Sequence, residues 1–209
     1  MRFIFLILLY GIPFLGQSQT TAYDLAVTDA IVQFDELKDL STCKELFVKF
    51  EQLSKTHNKD WVPFYYAALI KIKMSMYKDQ DADKYADEAI EWILKAKKIQ
   101  ANDEVYCVES LSYSTKLAVH PTWRWFALEQ KIKQPLATAM KMNNNNPRIY
   151  VLNAMLHAKL PAVLGGNCKT ARTLALKAKK LLATNTSNAN DKPHWGIKSA
   201  EEVLAACPF

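Results

Sequence analysis

The sequence predicts an all-α fold built from antiparallel helical hairpins, and three observations carry this prediction. The 209 residues include only five glycines and few β-branched runs, too few for the turns and alternating strands of a sheet protein. From Tyr23 onward, apolar residues recur at intervals of three and four, the period of an amphipathic helix. The polar breaks between these segments are mostly short, and short connections favour antiparallel neighbours.

The first residues resemble a secretory signal peptide. Arg2 precedes an apolar run from Phe3 to Leu15, and the small residues Gly16 and Ser18 suit a cleavage site. The run is shorter than the ~20 apolar residues that span a bilayer. We therefore expect residues 1–18 to be a signal peptide and residues 19–209 to form one exported domain, periplasmic or extracellular, with no transmembrane anchor.

Nine helical segments follow, and the first eight pair into four hairpins. The predicted pairs are 23–40 with 42–56, 61–77 with 81–99, 103–119 with 123–142, and 147–160 with 168–183, with a last helix over 194–206 as a cap. Thr42 and Glu45 form the capping-box pattern, so the second helix should begin at Thr42. Pro135 lies inside the sixth segment, where it should kink or split the helix.

The spacing of small residues resembles that of tetratricopeptide repeats (TPRs). Second helices show it as Ala89, Ile93 and Ala96, and again as Ala171, Ala175 and Ala178. The last 63 residues are more specifically similar to short secreted TPR-like proteins of bacterial envelopes, most of which have no assigned activity. The motifs that carry this similarity are Asn146-Pro147-Arg148-Ile149-Tyr150, Gly165-Gly166 and Pro193-His194-Trp195-Gly196. The resemblance implies a right-handed α-α superhelix of about four TPR-like hairpins plus a C-terminal capping helix.

A superhelix of this kind presents the first helix of each hairpin on its concave face, which binds peptides or protein segments. On the predicted helices, this face would carry Tyr65, Leu69, Lys73, Glu104, Leu111, Arg148 and Met155.

The sequence shows no pattern for catalysis, metal binding or a cofactor. It contains no P-loop, dinucleotide fingerprint, nucleophile elbow or HExxH motif. The four histidines are in separate segments without ligands at metal-binding spacing. The formal net charge of +6 is spread along the chain, which does not favour nucleic acid as a partner. We therefore expect a non-enzymatic protein with no catalytic residue, metal or cofactor.

The leading hypothesis from the sequence is an exported helical-repeat scaffold that binds a protein or peptide partner in the cell envelope. One alternative is a carrier that binds a small apolar solute or lipid-like ligand between helices. A second alternative is a hydrolase with an unrecognised site, which would need titratable residues gathered in a cleft.

Two structural features of the C-terminal part also follow from the sequence. Gly165 and Gly166 lie between two predicted helices, and at least one of them should supply a positive φ in the turn. Helices 168–183 and 194–206 are similar in length and should run antiparallel, which would place Cys207 beside Cys168 for a possible disulfide. Cys43 and Cys107 should remain unpaired; alternatively, all four cysteines are small buried apolar residues.

The signal-peptide prediction can be checked on the native protein. We expect the mature chain to begin at or near Gln19 and to be released without detergent, because the apolar run is too short to anchor it. N-terminal sequencing checks this, and Met1 retained in the membrane fraction would contradict it.

Overall fold

The computed structural model describes residues 22–184, 193 and 195–208. The predicted signal peptide, residues 1–18, lies outside the described residues. The helices are α1 Ala22–Asp35, α2 Leu40–Thr56, α3 Val62–Met74, α4 Ala82–Ile99, α5 Asp103–Val119, α6 Pro121–Met142, α7 Pro147–Lys159, α8 Cys168–Thr184 and α9 Ile197–Ala206. A one-turn 3₁₀ helix, Ala162–Leu164, lies between α7 and α8.

The all-α prediction is confirmed, and no strand occurs in the described part of the chain. Within these residues, no helix has both the length and the apolar character needed to cross a membrane.

The helices form two layers that are consistent with a superhelix. The two helices of each hairpin pack against each other, while α3 and α7 both also pack against α5. The odd-numbered helices α1, α3, α5 and α7 therefore form an inner layer, and the even-numbered helices form an outer layer. Helix α9 packs against both α7 and α8 and closes the C-terminal end.

Small residues allow the outer helices to approach the inner ones closely. In α4, Ala89, Ile93 and Ala96 are fully buried, and in α8 the three alanines at the corresponding spacing are fully buried as well, namely Ala171, Ala175 and Ala178. A small side chain at the contact shortens the distance between two packed helices. The pattern that resembled a repeat in the sequence therefore marks helix contacts in the structure.

The junction of α1 and α2 differs from the prediction. Helix α1 ends at Asp35, not at residue 40, and α2 begins at Leu40 because Asp39 is its N-cap. The Asp39 side chain accepts a hydrogen bond from the Thr42 backbone N–H at 2.8 Å, and Thr42 Oγ1 accepts one from the Asp39 backbone N–H at 3.4 Å. Thr42 is thus the third residue of α2 and completes a capping box with Asp39, so the prediction that Thr42 starts the helix is wrong.

Pro135 does not split the sixth segment. Helix α6 is continuous from Pro121 to Met142 with Pro135 inside it. The Ser110 hydroxyl of α5 donates a hydrogen bond to the Ile132 carbonyl at 2.8 Å, in the turn before the proline. Pro135 and Ile132 are both buried against neighbouring helices. Tertiary packing therefore outweighs the local cost of a proline in the helix interior.

The structure joins α8 and α9 by a disulfide between Cys168 and Cys207, whose Cα atoms are 5.1 Å apart. This is the pairing that the antiparallel arrangement of the two helices predicts. Cys43 and Cys107 are free and buried. Burial raises the pKa of both thiols, so they are neutral at physiological pH and pack as small apolar side chains.

The glycines between α7 and α8 meet two different constraints. Gly165 adopts φ +93° at the end of the 3₁₀ helix, with open space where a Cβ would be. At Gly166 a Cβ would lie 1.8 Å from the Leu160 carbonyl oxygen, so no side chain fits without a backbone shift. The first glycine is therefore required for its backbone conformation and the second for a close backbone approach.

This difference predicts unequal effects of the same substitution. We expect Gly165→Ala to lower the free energy of unfolding by about 1 kcal/mol, the cost of a left-handed conformation for an L-residue. We expect Gly166→Ala to lower it by more, roughly 2–3 kcal/mol, because the turn must move. Urea denaturation measures both, and a Gly166→Ala protein as stable as wild type would contradict the interpretation.

Candidate functional site

Three of the predicted concave-face residues meet in one buried polar network on the inner layer. Glu104 of α5 accepts hydrogen bonds from Tyr65 of α3 at 3.0 Å and from Arg148 of α7 at 3.1 Å. The Asn146 side-chain amide, at the start of α7, donates to the same carboxylate at 2.8 Å. Tyr65 and Arg148 are buried, and little of the Glu104 side chain is exposed.

The C-terminal segment covers this network. The Trp195 indole N–H donates to the Tyr65 hydroxyl at 2.7 Å, and the Arg148 guanidinium donates to the Pro193 carbonyl. The Arg148 guanidinium also lies over the Trp195 ring, 5.6 Å from its centre. We call Pro193 and Trp195 the C-terminal cover. Because this cover occupies the inner face, the network is not open to a protein partner.

Burial governs the electrostatics of the network. Desolvation raises the pKa of Glu104, while the Arg148 guanidinium and the hydrogen bonds from Tyr65 and Asn146 oppose the rise. Desolvation also raises the pKa of Tyr65 well above its usual value, so this hydroxyl remains neutral. The hydrogen bonds and the ion pair fix the N-terminal ends of α3, α5 and α7 relative to one another.

The other four predicted residues have different environments. Leu69 is buried in the core. Lys73 is half-buried, its ammonium is 5.7 Å from the centre of the Phe34 ring, and desolvation lowers its pKa. Leu111 and Met155 line a cavity.

This cavity, of about 410 Å³, lies between the C-terminal halves of α5 and α7. The ends of α3 and α5, the loop before α4 and the starts of α4 and α6 complete its wall. Its volume is within the range of ~300–1,000 Å³ typical of small-molecule sites. The lining residues are mainly apolar: Ser75, Met76, Ala82, Leu111, Ser114, Thr115, Leu117, Ala118, Val119, Pro121, Leu152, Met155, Leu156, Lys159 and Leu160.

The cavity has a buried floor and an open mouth. Leu111, Leu117 and Leu152 are buried and form the floor, whereas Met76 and Lys159 are exposed at the mouth. The Ser114 and Thr115 hydroxyls donate to carbonyls of their own helix at 2.9 and 3.0 Å. Because these hydroxyls already donate to the helix backbone, the wall that the cavity offers a ligand is mainly apolar.

Sequence reasoning missed most of this site, although a signal was present. The second half of α5 carries the small residues Ser114, Thr115 and Ala118, opposite the large apolar residues of α7. Where two inner helices face each other, small residues on one helix leave a space unless larger side chains on the other helix fill it. The concave-face prediction selected long side chains instead.

The cavity wall does not resemble a catalytic or metal centre. Lys159 is the one ionisable group among the described lining residues, and histidine, cysteine and tyrosine are absent from them. Across the described residues, no cluster of three or more His, Cys, Asp or Glu side chains could hold a metal ion.

Comparison with solved structures shows a similarity that bears on function. No protein-family profile matches the chain, and no curated protein matches it in sequence. Among solved structures, the chain is similar to the HusA haemophore from Porphyromonas gingivalis, with a TM-score of 0.79 and 28% identity. The similarity covers 91% of this chain and 95% of the haemophore chain.

This similarity corrects the functional prediction from the sequence. The similar structure is a haemophore, which is a small-molecule carrier, so the prediction of a protein- or peptide-binding scaffold is wrong. The alternative prediction, a carrier with an apolar pocket between helices, agrees better with both the comparison and the cavity.

The C-terminal cover yields a test of the buried network. We expect Trp195→Phe to lower the free energy of unfolding by about 1–2 kcal/mol, because the Tyr65 hydroxyl loses its indole donor inside the protein. The matched control is Trp123→Phe, since Trp123 is 88% exposed and should tolerate the change within about 0.5 kcal/mol. Equal unfolding curves for the two variants would show that the indole contact contributes nothing.

Proposed function

We propose that this protein is an exported, non-enzymatic carrier that binds a porphyrin, with haem as the leading candidate, in the cavity between α5 and α7. The observation that carries the proposal is the apolar cavity on the inner layer of a fold that is similar to a haemophore. The name of the similar protein suggests the chemical class of the ligand, and the cavity is the candidate binding site.

The cavity wall suits the chemistry of a porphyrin. The macrocycle is a flat, largely apolar ring whose affinity for a protein arises mainly from burial of its faces. Leu111 and Leu152 belong to the two facing helices, and Met155 adds a flexible, polarisable side chain that adapts to a ring surface. The buried floor would hold the apolar edge of the ring, and the mouth would leave its polar edge in water.

The lining residues favour recognition of the ring over ligation of iron. Haem iron is commonly held by histidine, cysteine, methionine or tyrosine. Among the described lining residues, only the thioethers of Met76 and Met155 could serve as ligands. Thioethers are weak ligands, so most of the binding energy would come from contacts with the macrocycle. A metal-free porphyrin should therefore bind nearly as well as haem.

The finer sequence predictions support this proposal without being required by it. The signal-peptide pattern of residues 1–18 would place the carrier outside the cytoplasm, in the periplasm or beyond it. A TPR-like origin of the hairpins is supported by the buried alanines at repeat spacing in α4 and α8.

Titration of the Soret absorption band tests the proposal. We expect saturable binding of haemin and of metal-free protoporphyrin IX, with dissociation constants within about tenfold of each other because the ring supplies most of the affinity. Ala118→Trp should weaken both by at least about tenfold, since Ala118 is exposed on the cavity wall and an indole there would fill the space.

The control is Ala127→Trp, which adds the same side chain at an exposed position of α6 outside the cavity lining. It should bind both porphyrins like wild type. Absence of saturable binding in the wild-type protein would overturn the carrier proposal. Equal binding by the two tryptophan variants would show that the porphyrin does not bind in this cavity.

A further inference from the structure

Lys159 is the charged side chain of the cavity wall within the described residues, and it lies at the mouth. It belongs to the last turn of α7 and is exposed, unlike the leucines of the floor. An ammonium group beside an apolar wall is suited to a ligand with an apolar body and an acidic end.

Two cations near the cavity, Lys116 and Arg124, have acidic partners, whereas Lys159 has none in the described part of the chain. Lys116, between lining residues of α5, is paired with Asp87, and Arg124 near the start of α6 is paired with Asp83. No carboxylate lies within ion-pair distance of Lys159 among the described residues. A cation without an internal partner is available to an anionic ligand.

The spacing along α7 gives the ligand an orientation. Leu152, Leu156 and Lys159 all line the cavity, so one face of the helix leads from the floor to the mouth. The seven residues from Leu152 to Lys159 correspond to a rise of about 10.5 Å. A ligand with its apolar part on Leu152 would therefore extend its other end towards the ammonium group.

A simpler role for Lys159 is to complement the negative C-terminal end of the α7 dipole. Lys98 also lies in the last turn of its helix, α4, and is also exposed. It lies at the far end of α4 from Ala82, which lines the cavity, a distance of about 24 Å along the helix. A pure dipole role would make the two lysines equivalent, whereas a ligand role would not.

We infer that Lys159 forms an ion pair with a carboxylate of the bound ligand at the cavity mouth, so that the site selects acidic amphipathic ligands over neutral ones. This inference rests on the proposed carrier function, in which the two propionate groups of a porphyrin supply the carboxylates. Lys159 thereby determines specificity and orientation, while the apolar wall supplies most of the affinity.

The test compares deuteroporphyrin IX with its dimethyl ester, which has the same ring but no free carboxylate. Both are titrated at one detergent concentration into wild type and Lys159→Met. We expect wild type to bind the diacid about fivefold more tightly than the ester, as for a partly exposed charge pair. Lys159→Met should bind the diacid about fivefold more weakly than wild type does and leave the affinity for the ester within twofold.

Two further variants make the result specific. Lys98→Met removes the same charge from the last turn of another helix, far from the cavity, and it should bind both ligands like wild type. Lys159→Arg keeps the charge and should restore the preference for the diacid. Thermal melting of each variant confirms that it is folded.

The possible failures are distinguishable. If wild type binds both porphyrins but Lys159→Met binds the diacid unchanged, the carrier function stands and the ion pair is overturned. Equal weakening of diacid and ester by Lys159→Met would also overturn it, since a packing role would then explain the loss. If wild type binds neither porphyrin, both the function and the inference fail.

Discussion

Three segments that are distant in the sequence meet around the carboxylate of Glu104 on α5. Tyr65 from α3, Arg148 from α7 and Asn146 before α7 contact it directly, and Trp195 reaches it through the Tyr65 hydroxyl. A buried carboxylate needs its partners, because an uncompensated charge in a protein interior costs several kcal/mol. The arrangement of the inner layer therefore depends on this group. Removing Arg148 would leave Glu104 buried without its cation, so substitution there would report on folding before it reported on ligand binding.

The network divides the inner face into two parts. On α5 and α7, Glu104 and Arg148 lie near the N-terminal ends, while Leu111 and Met155 lie seven residues later, about 10.5 Å along each helix. The first part is polar, its Tyr65 hydroxyl and Arg148 guanidinium both donate to Glu104, and it lies beneath the C-terminal cover. The second part is apolar and open at its mouth. Because the first part is closed, a ligand on the inner face is directed to the second part.

The sequence predicted the fold well because its signals are local. Helical periodicity, the proline that begins α7, and the small residues at repeat spacing all act within one or two turns. The functional site was harder to predict from the sequence, for a physical reason. Burial of Tyr65 and Arg148 results from a segment some 45 to 130 residues away in the sequence, as the bonds to Pro193 and Trp195 show. No periodicity of α3 or α7 contains that information. The cavity is harder still, since it is defined by missing side-chain volume between α5 and α7.

The same two-part division explains why the helical-repeat resemblance suggested the wrong class of partner. A concave face binds peptides when its long side chains are free to make new contacts. Here Tyr65, Glu104 and Arg148 make their contacts with one another and with the C-terminal cover. A new partner would have to replace these contacts, each with its own cost of desolvation.

The part of the face that remains available is a concave apolar space of small-molecule size, lined at its mouth by one lysine. Such a space offers too little polar surface to align a peptide backbone, but it can bury a compact apolar ring and leave an acidic edge in water. The chemistry of the inner layer therefore favours a carrier over a scaffold, in agreement with the comparison to the haemophore.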